Sequence, residues 1–252
     1  MKAFLLAGGY GTRLRPLTDS LPKCLVPIQG KPLLDIWLDL CARSNITEVL
    51  INLHAHSRLV EEHLKEKCSP VAVSVVHEKQ LLGSAGTIAA NREWINSDPA
   101  FWILYSDVLT NMDLRRMTEF HVEHETVATL GLYQVPDPSR CGVALTDSSG
   151  IITDFEEKPT NPRSNWVFSG LMLASPRFLD FIPPTIPADI AFDVLPRLLG
   201  RLLAYPINDY LLDIGTMQNY QKAQNTWPGM DSVSAPSDRV ALPSPASSGK
   251  AL

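Results

Sequence analysis

The chain has 252 residues, of which 45% are hydrophobic and 19% charged, and its formal net charge is −5. That length and apolar share suit one large α/β domain or two small ones with a sizeable core, while the negative balance argues against broad electrostatic binding to nucleic acid or an anionic membrane. No stretch approaches the ~20 apolar residues of a membrane span, no secretory signal stands out, and Cys24, Cys41, Cys68 and Cys141 show no metal-ligand spacing, so the sequence reads as a cytoplasmic protein with reduced thiols.

In chain order, "KAFLLA" (2–7) predicts a buried strand that empties into Gly8, Gly9 and Gly11, with Arg13, Arg15 and Lys23 just beyond. Glycines after a strand let backbone amides approach a ligand closely, because no Cβ intervenes. The arginines supply planar forks and the lysine a compact point charge. Together they predict a cradle for a phosphate-rich ligand. It is not the dinucleotide fingerprint, since Leu14 stands where a third glycine belongs, nor a Walker A loop, which needs Gly-Lys followed by Ser or Thr.

Next, "EVLINL", "VAVSVVHE" and "FWILYSD" predict nearly continuous apolar strands, as in a parallel sheet covered on both faces. Between the strands, "PLLDIWLDLCARSN", "SRLVEEHLKEK" and "SAGTIAANREWI" carry apolar residues at helical spacing. The alternation implies right-handed crossovers in an open α/β sheet. Ligands of such sheets sit outside the carboxyl ends of the strands, where the glycine loop and Asp107 fall. After a helix at "DLRRMTEFHVEHE" the pattern turns β-rich, with "TVATLGLYQV", "GVALTD", "IITDFEEKP" and "VFSGLMLAS" extending the sheet and covering a substrate. "IAFDVLPRLLG" reads as helix, "LLAYPI" and "DYLLDIG" as strands, and "TMQNYQKAQNTW" as a closing helix. From Pro228 the composition shifts to Pro, Ser and Ala, so the expected organisation is one unit at 1–227 and a flexible tail at 228–252.

The stretch "LLAGGYGTRLRPLTDSLPKCLVPIQGKPLL" resembles the sugar-1-phosphate nucleotidylyltransferases, or nucleotide-sugar pyrophosphorylases. "LGSAGTI", "SDVL", "FEEKP", "SGLMLASP" and "LLDIGT" continue the resemblance in the family's order over about residues 1–227. It implies a Rossmann-like, three-layer nucleotidyltransferase fold with a mostly parallel central sheet and a β-rich sugar-binding portion. It also implies condensation of a nucleoside triphosphate with a sugar 1-phosphate, releasing pyrophosphate with the help of Mg²⁺. Two polyanions must then be held together against their own repulsion, so positioning and charge neutralisation carry the reaction without a protein nucleophile.

By this resemblance, Leu6, Ala7, Gly8, Gly9, Gly11 and Thr12 contact the nucleotide, and Arg13 grips the triphosphate and the departing pyrophosphate. Lys23 meets the phosphates at the reacting centre, and Asp107 and Asp213 hold the metal, whose preference is for carboxylate, phosphate and water oxygens. Gly142, Glu157, Lys158 and Gly170 match the sugar-phosphate side. Two positions depart from the family's pattern: Ser106 replaces a glycine before the first aspartate, and Phe168 replaces an asparagine in "FSG".

"HEKQLLGSAGTI" resembles the corresponding stretch of mannose-1-phosphate guanylyltransferases more than that of thymidylyl enzymes, with Gly83 beneath the nucleoside. A carboxylate at Glu78 suits the adjacent N1–H and amine of guanine, although Glu78 equally fits an exposed strand end. The expected activity is therefore GTP with mannose 1-phosphate, with a homo-oligomer as a possible assembly. UTP, dTTP or CTP, a heptose or modified hexose, and a non-catalytic nucleotide-sugar-binding relative stand as alternatives. A glycosyltransferase is disfavoured, because Asp107 is followed by Val108 and Leu109 rather than a second aspartate. His54 with His56, and His121 with His124, bring no third metal ligand, and Trp37, Trp94 and Trp102 read as core.

Overall fold

A computed structural model describes residues 1–95 and 98–232. The first strand, β1 (Lys2–Leu6), is followed by a small ribbon of β2 (Pro27–Ile28) and β3 (Lys31–Pro32), then helix α1 (Leu33–Arg43). Next come β4 (Glu48–Leu53), α2 (Ser57–Glu66), β5 (Ala72–His77), α3 (Ser84–Ala90) and α4 (Arg92–Ile95). β6 (Phe101–Tyr105), β7 (Val108–Thr110) and α5 (Leu114–His124) lead into β8 (Ala128–Gln134), β9 (Gly142–Thr146), β10 (Ile152–Glu157) and β11 (Trp166–Ala174). β12 (Leu202–Pro206), β13 (Leu211–Asp213) and α6 (Met217–Thr226) complete the chain.

β5, β4, β1 and β6 lie side by side and parallel, as the near-continuous apolar runs predict. β11 adds to β6 in the opposite sense, β8 is antiparallel to β11, and β12 is parallel to β8. Of the seven strands in this path, β11 alone runs against the rest. β11 also changes partner on one side: its second half pairs with β6, while Val167 in its first half pairs with Val143 of β9, which adds the β9–β10 hairpin to the same sheet. Gly170 marks the change, with φ +80 and the register slipping between Phe168 and Met172.

Strand alternation sends Ala3 and Leu5 to one face and Phe4 to the other. The first face packs α1, α5 and α6 through residues such as Trp37, Met117 and Ala223. The second packs α3 and the segment 190–198 through Ile88, Val194 and Leu198. These are the two cores of a three-layer α/β sandwich, and Trp37 and Trp102 are fully inside the first. Two helix starts follow side-chain caps: Asp113 accepts from Arg115 N ahead of α5, and Thr216 from Asn219 N ahead of α6.

Four sequence expectations are modified. β5 is a sheet edge with Ala72, Ser74 and His77 exposed, and its valines are only half-buried, Val73 and Val75 against the first core and Val76 against the second. The single helix read at 84–95 breaks at Asn91, whose side chain donates to Thr87 O. "IAFDVLPRLLG" forms a wide turn at Ile190–Val194 and a tight one at Leu195–Leu198, with Pro196 denying a continuous helix its amide. The first five residues of the expected tail, 228–232, lie against the body, where Arg43 pairs with Asp231 and Asn111 donates to Gly229 O and Ser232 O. The rest of that tail, 233–252, lies outside the described residues. Among the described residues no helix is long and apolar enough to cross a membrane.

Candidate active site

β1 ends at Leu6, and the chain turns at once over the end of β4. Ala7 N donates to Asn52 Oδ1 at 2.8 Å. A Cβ on Gly8 would stand 2.7 Å from Asn52 Nδ2, so only glycine lets the loop lie this close. Gly11 takes φ +64, and its carbonyl accepts from Leu14 N at 2.9 Å and Thr18 Oγ1 at 2.7 Å. The turn Thr12–Leu14 follows, with Leu14 buried in the body and Arg13 left exposed at the cleft. That anchoring explains why leucine stands where a dinucleotide loop has glycine. Gly9 is exposed with open space around it. Arg15 points away and pairs with Asp19 on the surface.

Across the cleft, β7 and β13 form a short antiparallel ribbon in which Asp213 opposes Val108, and Ile214 N donates to Asp107 O at 2.9 Å. This register brings Asp107 and Asp213 together although 105 residues lie between them in the chain. Lys23 Nζ sits 2.5 Å from Asp107 Oδ2. A Cβ on Gly215 would fall 2.7 Å from Asp213 Oδ1, 2.9 Å from Arg13 Nη2 and 3.2 Å from Lys23 Nζ. Arg13, Lys23, Asp107 and Asp213 thus converge on one cleft. Burial pushes both carboxyls toward protonation, but Lys23 and then Arg13 bring Asp107 below its ordinary value. Asp213 remains above it, because the Asp107 charge adds to burial. Ser106, in place of glycine, is buried and donates its amide to Leu6 O, leaving the strand end undisturbed.

The β9–β10 hairpin carries the other expected group. Gly142 opposes Glu157, and a Cβ on Gly142 would stand 2.7 Å from Glu157 Oε2. Lys158 follows with φ +53, its amide bonded to Cys141 O and its Nζ 3.3 Å from Glu157 Oε1. Burial raises the Glu157 carboxyl, Lys158 opposes that shift, and Asp189 adds to it. Gly170 lies over Tyr105, where a Cβ would come 3.0 Å from the tyrosine Cβ. Phe168 meets Tyr105 edge-on at 5.9 Å. The Tyr105 hydroxyl is pushed upward by burial, then by Asp189, with Asp107 and Glu157 also contributing. Tyr105 therefore feels the carboxylates of both halves of the cleft.

Glu78 needs revision. Expected to present its carboxylate to a base, it is only 8% exposed. Its Oε1 accepts from Asn52 Nδ2 at 3.0 Å and Thr87 Oγ1 at 2.5 Å, and Oε2 from Leu82 N at 3.1 Å. Three protein donors leave little of a carboxylate's acceptor capacity free. The residue ties the glycine loop, through Asn52, to the loop that carries Gly83. Gly83 has φ +80 and packs on Ala188, whose carbonyl would lie 2.2 Å from a Cβ there.

Sequence reasoning overlooked Asn52, Tyr105, Asp189 and Gly215. Gly215 alone left a signal, within the quoted "LLDIGT". Of the histidines, His54 bridges Glu78 O and Tyr10 Oη, while His121 is buried against Thr129. Among the described residues no cluster of three or more His, Cys, Asp or Glu is placed to hold a metal ion.

The profile of the nucleotidyl transferase family matches residues 2–228. The chain belongs to that family. It is 37% identical over 227 residues to the mannose-1-phosphate guanylyltransferase catalytic subunit beta of Xenopus tropicalis, covering 87% of this chain and 62% of the relative. It is 33% identical over 227 residues to the mannose-1-phosphate guanyltransferase of Schizosaccharomyces pombe, again with 87% and 62% covered. The chain thus spans less than two thirds of the length of these nucleotidyl transferases. A solved UDP-glucose pyrophosphorylase complexed with UDP-glucose shares the fold at TM-score 0.77 and 24% identity, covering 90% of this chain and 97% of the other.

Proposed function

We propose that this nucleotidyl transferase joins GTP to mannose 1-phosphate, releasing pyrophosphate and GDP-mannose. The observation that carries the reading is the convergence of Arg13, Lys23, Asp107 and Asp213 around Gly215, beside the loop after β1. The names of the guanylyltransferase relatives support the choice of substrates. A phosphate oxygen of the sugar 1-phosphate attacks the α-phosphorus, and pyrophosphate leaves in line. Leu6, Ala7 and the amides of Gly8, Gly9, Gly11 and Thr12 line the nucleotide side, with Gly83 under the nucleoside and Glu78 fixing the loops around it. Arg13 binds the leaving phosphates through its fork. Lys23 moves from Asp107 to the reacting phosphates, where its charge offsets what develops in the transition state. Gly142 and Gly170 admit the sugar closely, Glu157 accepts from its hydroxyls, and Lys158 meets its phosphate.

The acidic pair fits Mg²⁺. Burial, and then the charge of Asp107, hold Asp213 above its ordinary value; a divalent ion would offset that charge, and Mg²⁺ takes one or two carboxylates with phosphates and waters. Bound there, the ion would neutralise the phosphates and polarise the reacting phosphoryl group. The reading places the enzyme in the cytoplasm, with 1–227 as its catalytic unit. Its test is a pyrophosphate-release screen of GTP, UTP, dTTP, CTP and ATP against mannose, glucose and galactose 1-phosphates. GTP with mannose 1-phosphate should give the highest kcat/KM. Preference for another base or sugar overturns the substrate choice, and no release from any pair overturns the transferase reading.

A further inference from the structure

The segment Ala188–Phe192 forms a wall shared by both halves of the cleft. Ala188 O accepts from Ala85 N at 3.0 Å and Gly86 N at 3.1 Å, which closes the loop beneath the nucleoside side. Asp189 Oδ2 accepts from Ser84 Oγ at 2.9 Å. Its Oδ1 accepts from Ala191 N at 2.9 Å and Phe192 N at 3.2 Å, which caps the turn that follows. The direction of that turn is therefore fixed from the nucleotide side. Its outward residue is Phe192, 57% exposed, and Lys158 Nζ lies 5.5 Å from the centroid of the Phe192 ring.

Lys158 is itself constrained. Its φ of +53 is uncommon for a residue with a Cβ, and such backbones persist where the surroundings over-determine them. Its amide is bonded to Cys141 O, and Glu157 Oε1 lies 3.3 Å from its ammonium. An ammonium has three N–H bonds. Glu157 takes one and the negative face of the ring attracts a second, so the third is left for a ligand.

We propose that Phe192 is a positioning residue for the sugar 1-phosphate. Its ring face holds the Lys158 ammonium at the place where the sugar's phosphate binds, so that the lysine does not swing free. This deepens the transferase reading and rests on it in one respect, that Lys158 meets the sugar phosphate. The π face, not the bulk of the side chain, does the holding, and substitutions can separate the two.

The experiment is calorimetric titration with mannose 1-phosphate of the unsubstituted chain, Phe192→Leu and Phe192→Tyr. Alongside it, NMR of ¹³C-dimethylated lysines reports on Lys158, whose resonance is assigned by its loss in Lys158→Gln. Phe192→Leu should weaken mannose 1-phosphate binding by about three- to fivefold, the span expected of an accessible cation–ring contact. Phe192→Tyr should restore it, and the affinity for GTP should move with neither. The Lys158 resonance should carry a ring-current shift that vanishes in Phe192→Leu. Equal binding by the unsubstituted and leucine proteins, including none by either, or a Lys158 resonance with no ring-current shift, overturns the proposal. The two readings fail separately. Unchanged binding in Phe192→Leu with normal pyrophosphate release sinks this inference alone, whereas weakened binding without release from any triphosphate sinks the transferase reading alone.

Discussion

Gly215→Ala places one methyl group at the centre of the charged cluster. The new Cβ would stand 2.7 Å from Asp213 Oδ1, 2.9 Å from Arg13 Nη2 and 3.2 Å from Lys23 Nζ. Carbon contacts settle near ~3.5 Å, so the two nearest groups must each withdraw by roughly 0.5–1 Å. All three are ends of flexible side chains, and Gly215 is not among the glycines with positive φ, so alanine fits the backbone. The fold should therefore change little, with stability within ~1 kcal/mol of the parent. The chemistry should change much. Misplacing groups by ~1 Å at a reacting centre costs on the order of 10²-fold, or ~2.7 kcal/mol of barrier. The assay is kcat/KM for pyrophosphate release beside a thermal melt. A variant that melts like the parent and retains more than a third of its kcat/KM would refute the claim that the close placement of these side chains around Gly215 carries the reaction.

Asp107→Asn should reduce Mg²⁺-dependent pyrophosphate release by more than ~10²-fold and weaken Mn²⁺ binding to the nucleotide complex measured by electron paramagnetic resonance; activity near that of the parent would remove Asp107 from metal binding. Glu78→Gln turns one acceptor into a donor facing Asn52, Thr87 or Leu82, so it should lower stability by ~1–3 kcal/mol in urea melts. Affinities for GTP and UTP should fall together, and a selective loss of GTP would return Glu78 to direct base reading. Burial depresses the His121 imidazole to about 4, so the folded state resists protonation that the unfolded chain accepts below its ordinary value of 6.5. Its contribution to stability is full above that value and is lost as pH falls toward 4, by up to ~3 kcal/mol. Against the parent, His121→Gln should flatten the urea-melt profile over that interval, and an unchanged slope would show that His121 does not set it.

What the sequence reveals here depends on how local each feature is. The strand Lys2–Leu6 and its glycine loop were legible because apolar run, turn residues and charges follow one another within the same stretch. The ribbon joining Val108–Thr110 to Leu211–Asp213 was not, since three-residue strands leave no periodicity and the pairing is long-range. β5 misled in another way: a run of valines reads the same whether a partner strand covers its edge or not. Glu78 is ambiguous in the sequence, because a carboxylate that suits guanine suits Asn52, Thr87 and a backbone amide equally well.

The resemblance could name Arg13, Lys23, Asp107 and Asp213, but not their mutual arrangement. Two cations and two carboxylates make a cluster of zero formal charge, and the Lys23–Asp107 pair shows the cleft already neutralised from within. A cleft lined by the acidic pair alone would repel an approaching triphosphate, and one lined by the cations alone would bind any polyanion tightly. With both present, the proposed reading has phosphates compete with Asp107 for Lys23, and a divalent ion compete with Lys23 for Asp107. Each exchange is unfavourable alone and compensated by the other, so on that reading triphosphate and metal enter together.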